Sequence, residues 1–148
     1  MKWLVLSFAL GSWSTFAHDT KYVLKISDVL TMPEAAGRLD PNVKLFFGDQ
    51  AGPEGEDHGE VVANPKTSSL NEKHEWACRW TMLSGLVELQ QRAKAMGATA
   101  VVGIESNYKK APFSSEDEFE CHAGALVTAV SLRGEMIRST DQVSNATR

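Results

Sequence analysis

The sequence predicts an α+β domain in which one long helix packs on a small, mainly antiparallel sheet of about four to five strands. Three observations predict this fold class: an uninterrupted helical pattern from Ser69 to Met96, a run of small and β-branched residues directly after it, and short alternating apolar segments on either side. A chain of 148 residues suits one such domain.

The first 17 residues are typical of a secretory signal peptide. Lys2 precedes an apolar run of about eleven residues, and small and polar residues follow up to Ala17. Because about 20 apolar residues are needed to span a bilayer, we expect cleavage after Ala17 and a soluble periplasmic or secreted protein. A lipoprotein would carry a cysteine directly after its signal, whereas the first cysteine is Cys78, so we expect no membrane anchor.

Charge argues against a nucleic-acid partner. Removal of residues 1–17 takes away one lysine and no acidic residue, so the net charge changes from −4 to −5. Binding to phosphates would require clustered lysines and arginines, and the sequence has no such cluster.

The amino-terminal half predicts short elements. Residues 21–26 and 42–47 alternate apolar and polar side chains and are expected to be strands. Between them, Thr31 begins a capping-box pattern with a proline in the first turn, which predicts a short helix through Arg38. Residues 48–59 are rich in glycine and acidic side chains and predict a solvated acidic loop, and a brief strand follows at 60–64.

The long helix is expected to start at a second capping box, Ser69 with Glu72, and to stop at Gly97. It carries two apolar stripes. The stripe expected to face the sheet comprises Cys78, Met82, Leu86, Leu89, Ala93 and Met96. The opposite stripe, an expected interface, comprises Trp76, Trp80, Leu83 and Val87. Either a second copy of the chain or the amino-terminal segment 22–39 could cover this second stripe, and the sequence favours neither.

Two strands are predicted after the helix. Residues 98–106 form the first, and 119 to about 132 form the last, after which the polar sequence predicts a frayed tail. The domain is therefore expected to span 18–138, with a flexible tail at 139–148.

The two cysteines are expected to form a disulfide. From Cys78 to Met96 the helix covers about 27 Å, and the returning strand 98–106 covers roughly 26 Å. Cys121, near the start of the last strand, therefore begins level with Cys78. An even cysteine count in an exported protein agrees with this bridge, which would stabilise the fold by roughly 3 to 4 kcal/mol.

A metal site is the alternative use of these residues. His74 and Cys78 share a helix face, and His122 follows Cys121, so two cysteines and two histidines could hold zinc. Neighbouring residues of a strand point to opposite faces, which favours the disulfide and places His122 on the other side of the sheet. Two weaker metal candidates are His18, at the expected mature amino terminus, and an acidic-loop set: Asp49, Glu54, Glu56, Asp57, His58 and Glu60. The loop set lacks the ordered spacing of a calcium loop.

No motif in the sequence announces catalysis. There is no G-x-S-x-G elbow, no phosphate-binding loop and no recognisable pair of catalytic carboxylates. We therefore expect no catalytic residues and no cofactor.

The stretch CRWTMLSGLVELQQRAKAMGATAVVGIESNYKK, followed by FECHAGALVTAV, resembles small exported bacterial proteins that often carry the name of the DNA-repair excinuclease ATPase. The resemblance is strong over 78–132 and loose before it. The chain lacks the ATP-binding motif and the multiple zinc cysteines of that repair ATPase, so that activity is not expected.

More distantly, the helix, Gly97, ATAVVG and the last strand are similar to the YbjQ-like fold, whose family name refers to heavy-metal binding. The sensor lipoprotein of the Rcs envelope-stress system shares that fold. This resemblance implies a helix on a small antiparallel sheet and a possible homo-oligomer, the pentamer being the best-known case. The Rcs sensor carries disulfides around its last strand, which agrees with a bridge at Cys121. The absence of a lipidated cysteine means that the Rcs partners are not implied.

Together these features predict a non-enzymatic exported module that binds a ligand or an envelope protein, or senses envelope stress. An exported transition-metal-binding protein is the alternative, and an enzyme without a recognised motif is the third.

Overall fold

A computed structural model describes residues 19–140 of the chain. The helices are α1 (Ile26–Leu30), α2 (Pro33–Arg38) and α3 (His74–Ala95), with a 3-10 turn at Tyr108–Lys110. The strands are β1 (Thr20–Lys25), β2 (Lys44–Phe47), β3 (Gly55–Ala63), β4 (Lys66–Ser68), β5 (Ala100–Ser106), β6 (Glu118–Ala123), β7 (Val127–Ala129) and β8 (Leu132–Ser139). The predicted signal peptide, His18 and positions 141–148 of the predicted tail lie outside the described residues.

The strands form two four-stranded sheets, so the α+β prediction is confirmed but the single predicted sheet is two. The first sheet has the order β1-β6-β7-β4 and is antiparallel throughout. The second has the order β2-β5-β8-β3, with β2 parallel to β5 and the other pairs antiparallel. Helix α3 contacts strands of both sheets, and its buried side chains, among them Met82, Leu86 and Leu89, lie in the core that both sheets share.

The predicted last strand, 119–132, is wrong as one element. It divides into β6, a tight turn closed by the Gly124 amide donating to the Val127 carbonyl at 2.9 Å, and β7. The chain then passes to the second sheet at Ser131 and begins β8. Because the turn at Gly124 folds the strand back on itself, β6 and β7 pair within the first sheet, and β8 is left to join the second.

The expectation of a frayed tail after residue 132 is also wrong. Strand β8 lies between β5 and β3 and pairs with both. Leu132, Gly134 and Met136 face the core, and charged residues alternate with them on the outer face. Gly134 lies so close to β5 that a Cβ on it would be 2.7 Å from Cγ1 of the Val101 side chain and 3.0 Å from the Val102 carbonyl oxygen. The buried face of β8 carries Gly134 and Met136 where β-branched residues are usual in strands, so strand propensity did not reveal the alternating pattern.

Helix α3 starts later than its predicted capping box. Its first residue is His74, and Ser69 is buried beneath it, where its hydroxyl lies 2.6 Å from the hydroxyl of Thr128. The helix ends at Ala95, and Gly97 has a φ of +77°, as its expected role at the helix terminus requires.

The predicted acidic loop is partly a strand. Residues 55–59 belong to β3, which pairs with β8 from Gly55 onward. A Cβ on Gly55 would lie 2.0 Å from the carbonyl oxygen of Arg138, so only glycine fits there. His58 Nδ1 lies 2.7 Å from the carbonyl oxygen of Met96 and ties β3 to the end of α3.

Among the described helices, none has the length and apolar character needed to span a bilayer.

Candidate functional site

Cys78 of α3 and Cys121 of β6 form a disulfide, as predicted. Their Cα atoms are 5.8 Å apart, and both residues are fully buried. The bond joins the long helix to the second strand of the first sheet, across 43 residues of sequence. Because buried disulfides are shielded from attacking thiolates, we assign this bond a structural role.

The four residues of the alternative zinc site are not arranged as ligands. The two sulfurs bond each other, the His74 ring stacks on Tyr22 at 5.8 Å, and the His122 ring stacks on Tyr108. Within residues 19–140, no group of three or more histidine, cysteine, aspartate or glutamate side chains is placed to hold a metal ion.

Strand β6 presents two different faces. Phe119, Cys121 and Ala123 are buried against the core, whereas Glu120 and His122 face outward and are half-buried. Cysteine and histidine are adjacent in sequence, but the period of two along a strand gives them opposite surroundings. The inner face holds the disulfide, and the outer face carries the candidate site.

The centre of this site is an aromatic stack on the outer face of the first sheet. The rings of Tyr108 and His122 lie 3.5 Å apart between centroids, with an interplanar angle of 12°. The Tyr108 hydroxyl donates a 2.5 Å hydrogen bond to Oδ2 of Asp19, and His122 Nε2 lies 3.7 Å from Oε2 of Glu120. That nitrogen is buried without a hydrogen-bond partner in the described structure.

A strained turn holds Tyr108 over the sheet. Lys109 and Lys110 both adopt left-handed backbone conformations, with φ of +51° and +61°. Such conformations are uncommon for residues with a Cβ and concentrate at functional positions. The turn is closed by the Lys110 amide donating to the Asn107 carbonyl at 3.2 Å.

An open cleft of about 420 Å³ adjoins the stack, within the usual range for small-ligand sites. Tyr108 and His122 form one side, and Ala129 of β7 continues the floor. The β6–β7 turn supplies the apolar rim, where Leu126 is 64% and Val127 47% exposed. Asp19 and Lys66 also line the cleft. The site therefore combines a flat aromatic surface, an apolar rim and one charge of each sign.

The local environment keeps the ionisable groups of the stack in their ordinary states near neutral pH. The hydrogen bond to Asp19 raises the pKa of Tyr108 above its usual value, so the phenol stays protonated. The same bond lowers the pKa of Asp19. Burial lowers the pKa of His122, although Glu120 acts in the opposite direction.

We expect His122 to titrate below its ordinary pKa of 6.5 in the folded protein, because desolvation disfavours the imidazolium. The folded state then binds fewer protons than the unfolded chain, so His122 lowers stability as the pH falls below 6.5 through its folded pKa. A pH titration of the His122 ring resonances by NMR measures this midpoint. Replacing Glu120 with glutamine should lower the midpoint further, since Glu120 stabilises the imidazolium. A wild-type midpoint above 6.5, or a higher midpoint in the Glu120→Gln variant, would contradict the assignment.

The second helix stripe is largely covered from within the chain. Leu83 is fully buried, so its expectation as an interface residue is wrong. Val87 packs on the core but is only half-buried. The guanidinium of Arg38, from α2, lies 4.7 Å from the Trp80 ring, and the Trp80 and Trp76 rings stack at 5.7 Å. The amino-terminal segment thus contacts this face through Arg38, and Trp76 alone of the four stripe residues is exposed, at 40%.

The acidic segment does not gather its side chains into one site. Residues 56, 57 and 60 lie along β3, on both sides of the irregular pairing at Gly59. Burial, then the nearby Asp57 and Glu60, raises the pKa of Glu135 on β8. This raised pKa therefore reflects the burial of Glu135 first and repulsion from neighbouring carboxylates second.

Sequence reasoning found His122 and its outward orientation but missed Asp19, Lys66 and Tyr108 as its neighbours. The only signal was the aromatic residue in the polar segment NYKK. These positions are far apart in sequence and meet only through the order of the first sheet.

Comparisons with protein-family models, with curated proteins and with solved structures found no match. The family resemblance therefore remains an expectation from the sequence.

Proposed function

We propose that the protein is an exported, non-enzymatic binding module, held together by the Cys78–Cys121 disulfide, that takes a small ligand in the cleft beside Tyr108 and His122. The observation on which this proposal rests is the aromatic stack beside an apolar-rimmed cleft. Aromatic and apolar walls with a few fixed polar groups are typical of ligand sites.

The chemistry of the cleft favours binding over catalysis. A nucleophile or general base must be activated, usually by a pKa moved toward neutrality. Tyr108 has its pKa raised away from neutrality by Asp19. The buried Nε2 atom of His122 lies 3.7 Å from Glu120. The His122 ring stacks on the Tyr108 ring, whereas the Tyr108 hydroxyl donates to Asp19.

The disulfide supports the same role. It fixes Cys121 to α3, and Cys121 directly precedes His122 on the opposite face of β6. A site built on a rigid strand loses less conformational entropy when a ligand binds. By the resemblance to the Rcs sensor fold, we extend the proposal to envelope-stress sensing and to assembly as a homo-oligomer.

A thermal-shift screen of small metabolites and peptides tests the proposal. At least one compound class should raise the melting temperature of the wild-type protein, since a ligand that binds only the folded state stabilises it. Leu126→Glu, at the exposed cleft rim, should abolish the shift. Val62→Glu, at an exposed position of β3 in the second sheet, should retain it.

Mass spectrometry of the compounds after incubation separates binding from catalysis. Binding compounds should be recovered unchanged. A compound converted to product, or a screen in which Leu126→Glu leaves every shift intact, would overturn the proposal.

A further inference from the structure

Two opposite charges lie at opposite ends of the cleft. Lys66 is on β4, one edge of the first sheet, and Asp19 directly precedes β1, the other edge. Lys66 forms no ion pair within residues 19–140. Asp19 accepts the Tyr108 hydroxyl at Oδ2, and a carboxylate can accept further bonds at its remaining lone pairs. The cleft thus offers one cation and one anion to a ligand.

The register of the sheet sets the separation between the Cα atoms of Lys66 and Asp19. Lys66 pairs with Ala129, Ala129 with His122, and His122 with Lys21. Three steps between strands of about 4.8 Å, with two residues along the chain of about 3.4 Å from Lys21 to Asp19, separate the two Cα atoms by about 16 Å. An aspartate carboxylate reaches about 2.5 Å and a lysine ammonium about 6 Å from its Cα, so the two charges can approach to about 8 Å when both side chains lean inward. Subtracting about 3 Å for each polar contact leaves about 2 to 10 Å for the ligand.

That range suits a short zwitterion. An extended peptide spans about 3.3 Å per residue, so the range corresponds to a ligand of at most three residues. The apolar rim at Leu126 and Val127 and the face of Tyr108 lie between the two ends, where they can contact an apolar side chain.

We propose that the cleft binds short zwitterionic peptides, of at most three residues and with free termini, the ammonium group on Asp19, the carboxylate on Lys66 and an apolar side chain against the Leu126 rim. This inference rests on the proposed function of the cleft and adds the chemical class of its ligand. A neutral zwitterion also suits a chain of net charge −4, which repels anions.

Isothermal titration with alanyl-leucyl-alanine tests the inference. Acetylating its amino terminus or amidating its carboxyl terminus should each weaken binding by about three- to tenfold, the usual range for one partly exposed charged contact. Asp19→Asn should cause the same loss with the free peptide and no further loss with the acetylated one. Lys66→Met should behave likewise with the amidated peptide. Lys44→Met, an exposed lysine of β2 in the second sheet, is the matched control and should bind as wild type.

The outcomes separate this inference from the proposed function. Equal binding of free and blocked peptides, or unchanged binding in Lys66→Met, would overturn the peptide inference. If the peptides do not bind but another compound binds to the wild-type protein and not to Leu126→Glu, the peptide inference is wrong and the proposed binding function is retained. If neither peptides nor library compounds bind in the cleft, both fall.

Discussion

Replacing both cysteines, as Cys78→Ala with Cys121→Ala, is expected to lower the free energy of unfolding by about 4 kcal/mol. The disulfide closes a 43-residue separation, and its loss returns that conformational freedom to the unfolded chain. Both side chains are fully buried, so the smaller alanines also remove packing contacts. For a domain of this size the total stability is about 5 to 15 kcal/mol, so the expected loss is a large part of it.

Urea unfolding with and without reductant measures this effect. The wild-type protein should lose stability when reductant is present throughout, whereas the double variant should unfold at the same urea concentration in both conditions. Alkylation of the unreduced wild-type protein should label no thiol. Two labelled cysteines without reduction, or a wild-type midpoint indifferent to reductant, would contradict a structural disulfide.

Ending the chain after Ser131 is expected to abolish folding. This truncation removes β8, which lies between β5 and β3 and pairs with both. It also removes Leu132 and Met136 from the core. Their loss alone would cost about 4 to 10 kcal/mol by the usual range for deleting large apolar side chains, before the lost strand pairing is counted.

A matched truncation after Thr140 provides the control, since it retains every residue of β8 that pairs with β3 or β5. Circular dichroism should show a cooperative thermal transition for the longer chain and none for the shorter one. A folded chain ending at Ser131 would agree with a frayed tail and contradict the place of β8 in the sheet.

The sequence predicted those elements whose signal is local. Strand β1, the end of the short helix at Arg38, the stop of α3 at Gly97 and strand β5 all follow from periodicity and helix-terminus chemistry. The predicted cap at Thr31 is wrong, because its hydroxyl donates to the Ser27 carbonyl and α2 begins at Pro33 without a side-chain cap. The disulfide was also predictable, because a helix and a strand of known length return the chain to one end.

The errors arose where tertiary pairing decides the structure. Gly55 and its acidic neighbours form a strand only because β8 lies beside them, and β8 itself contains a glycine that the core requires. The start of α3 moved because Ser69 satisfies its hydroxyl with Thr128, 59 residues away, instead of capping the helix. No local pattern contains that partner.

The candidate site shows the same division. His122 could be placed on the outer face from strand alternation alone. Tyr108, Asp19 and Lys66 join it through a β5–β6 connection with two left-handed lysines and through a sheet order that brings β1 and β4 to opposite edges. Neither feature has a signature in a single sequence.

We propose that the outer face of the first sheet is a non-enzymatic binding site, on the strand that the disulfide ties to α3. An NMR titration of the isotope-labelled protein, with the strongest stabilising compound from the screen, tests this proposal. We expect shift changes concentrated at Lys66, Tyr108, His122 and the turn 124–127, with the compound recovered unchanged. Shift changes concentrated instead around Trp76 or on the second sheet, or a chemically altered compound, would contradict it.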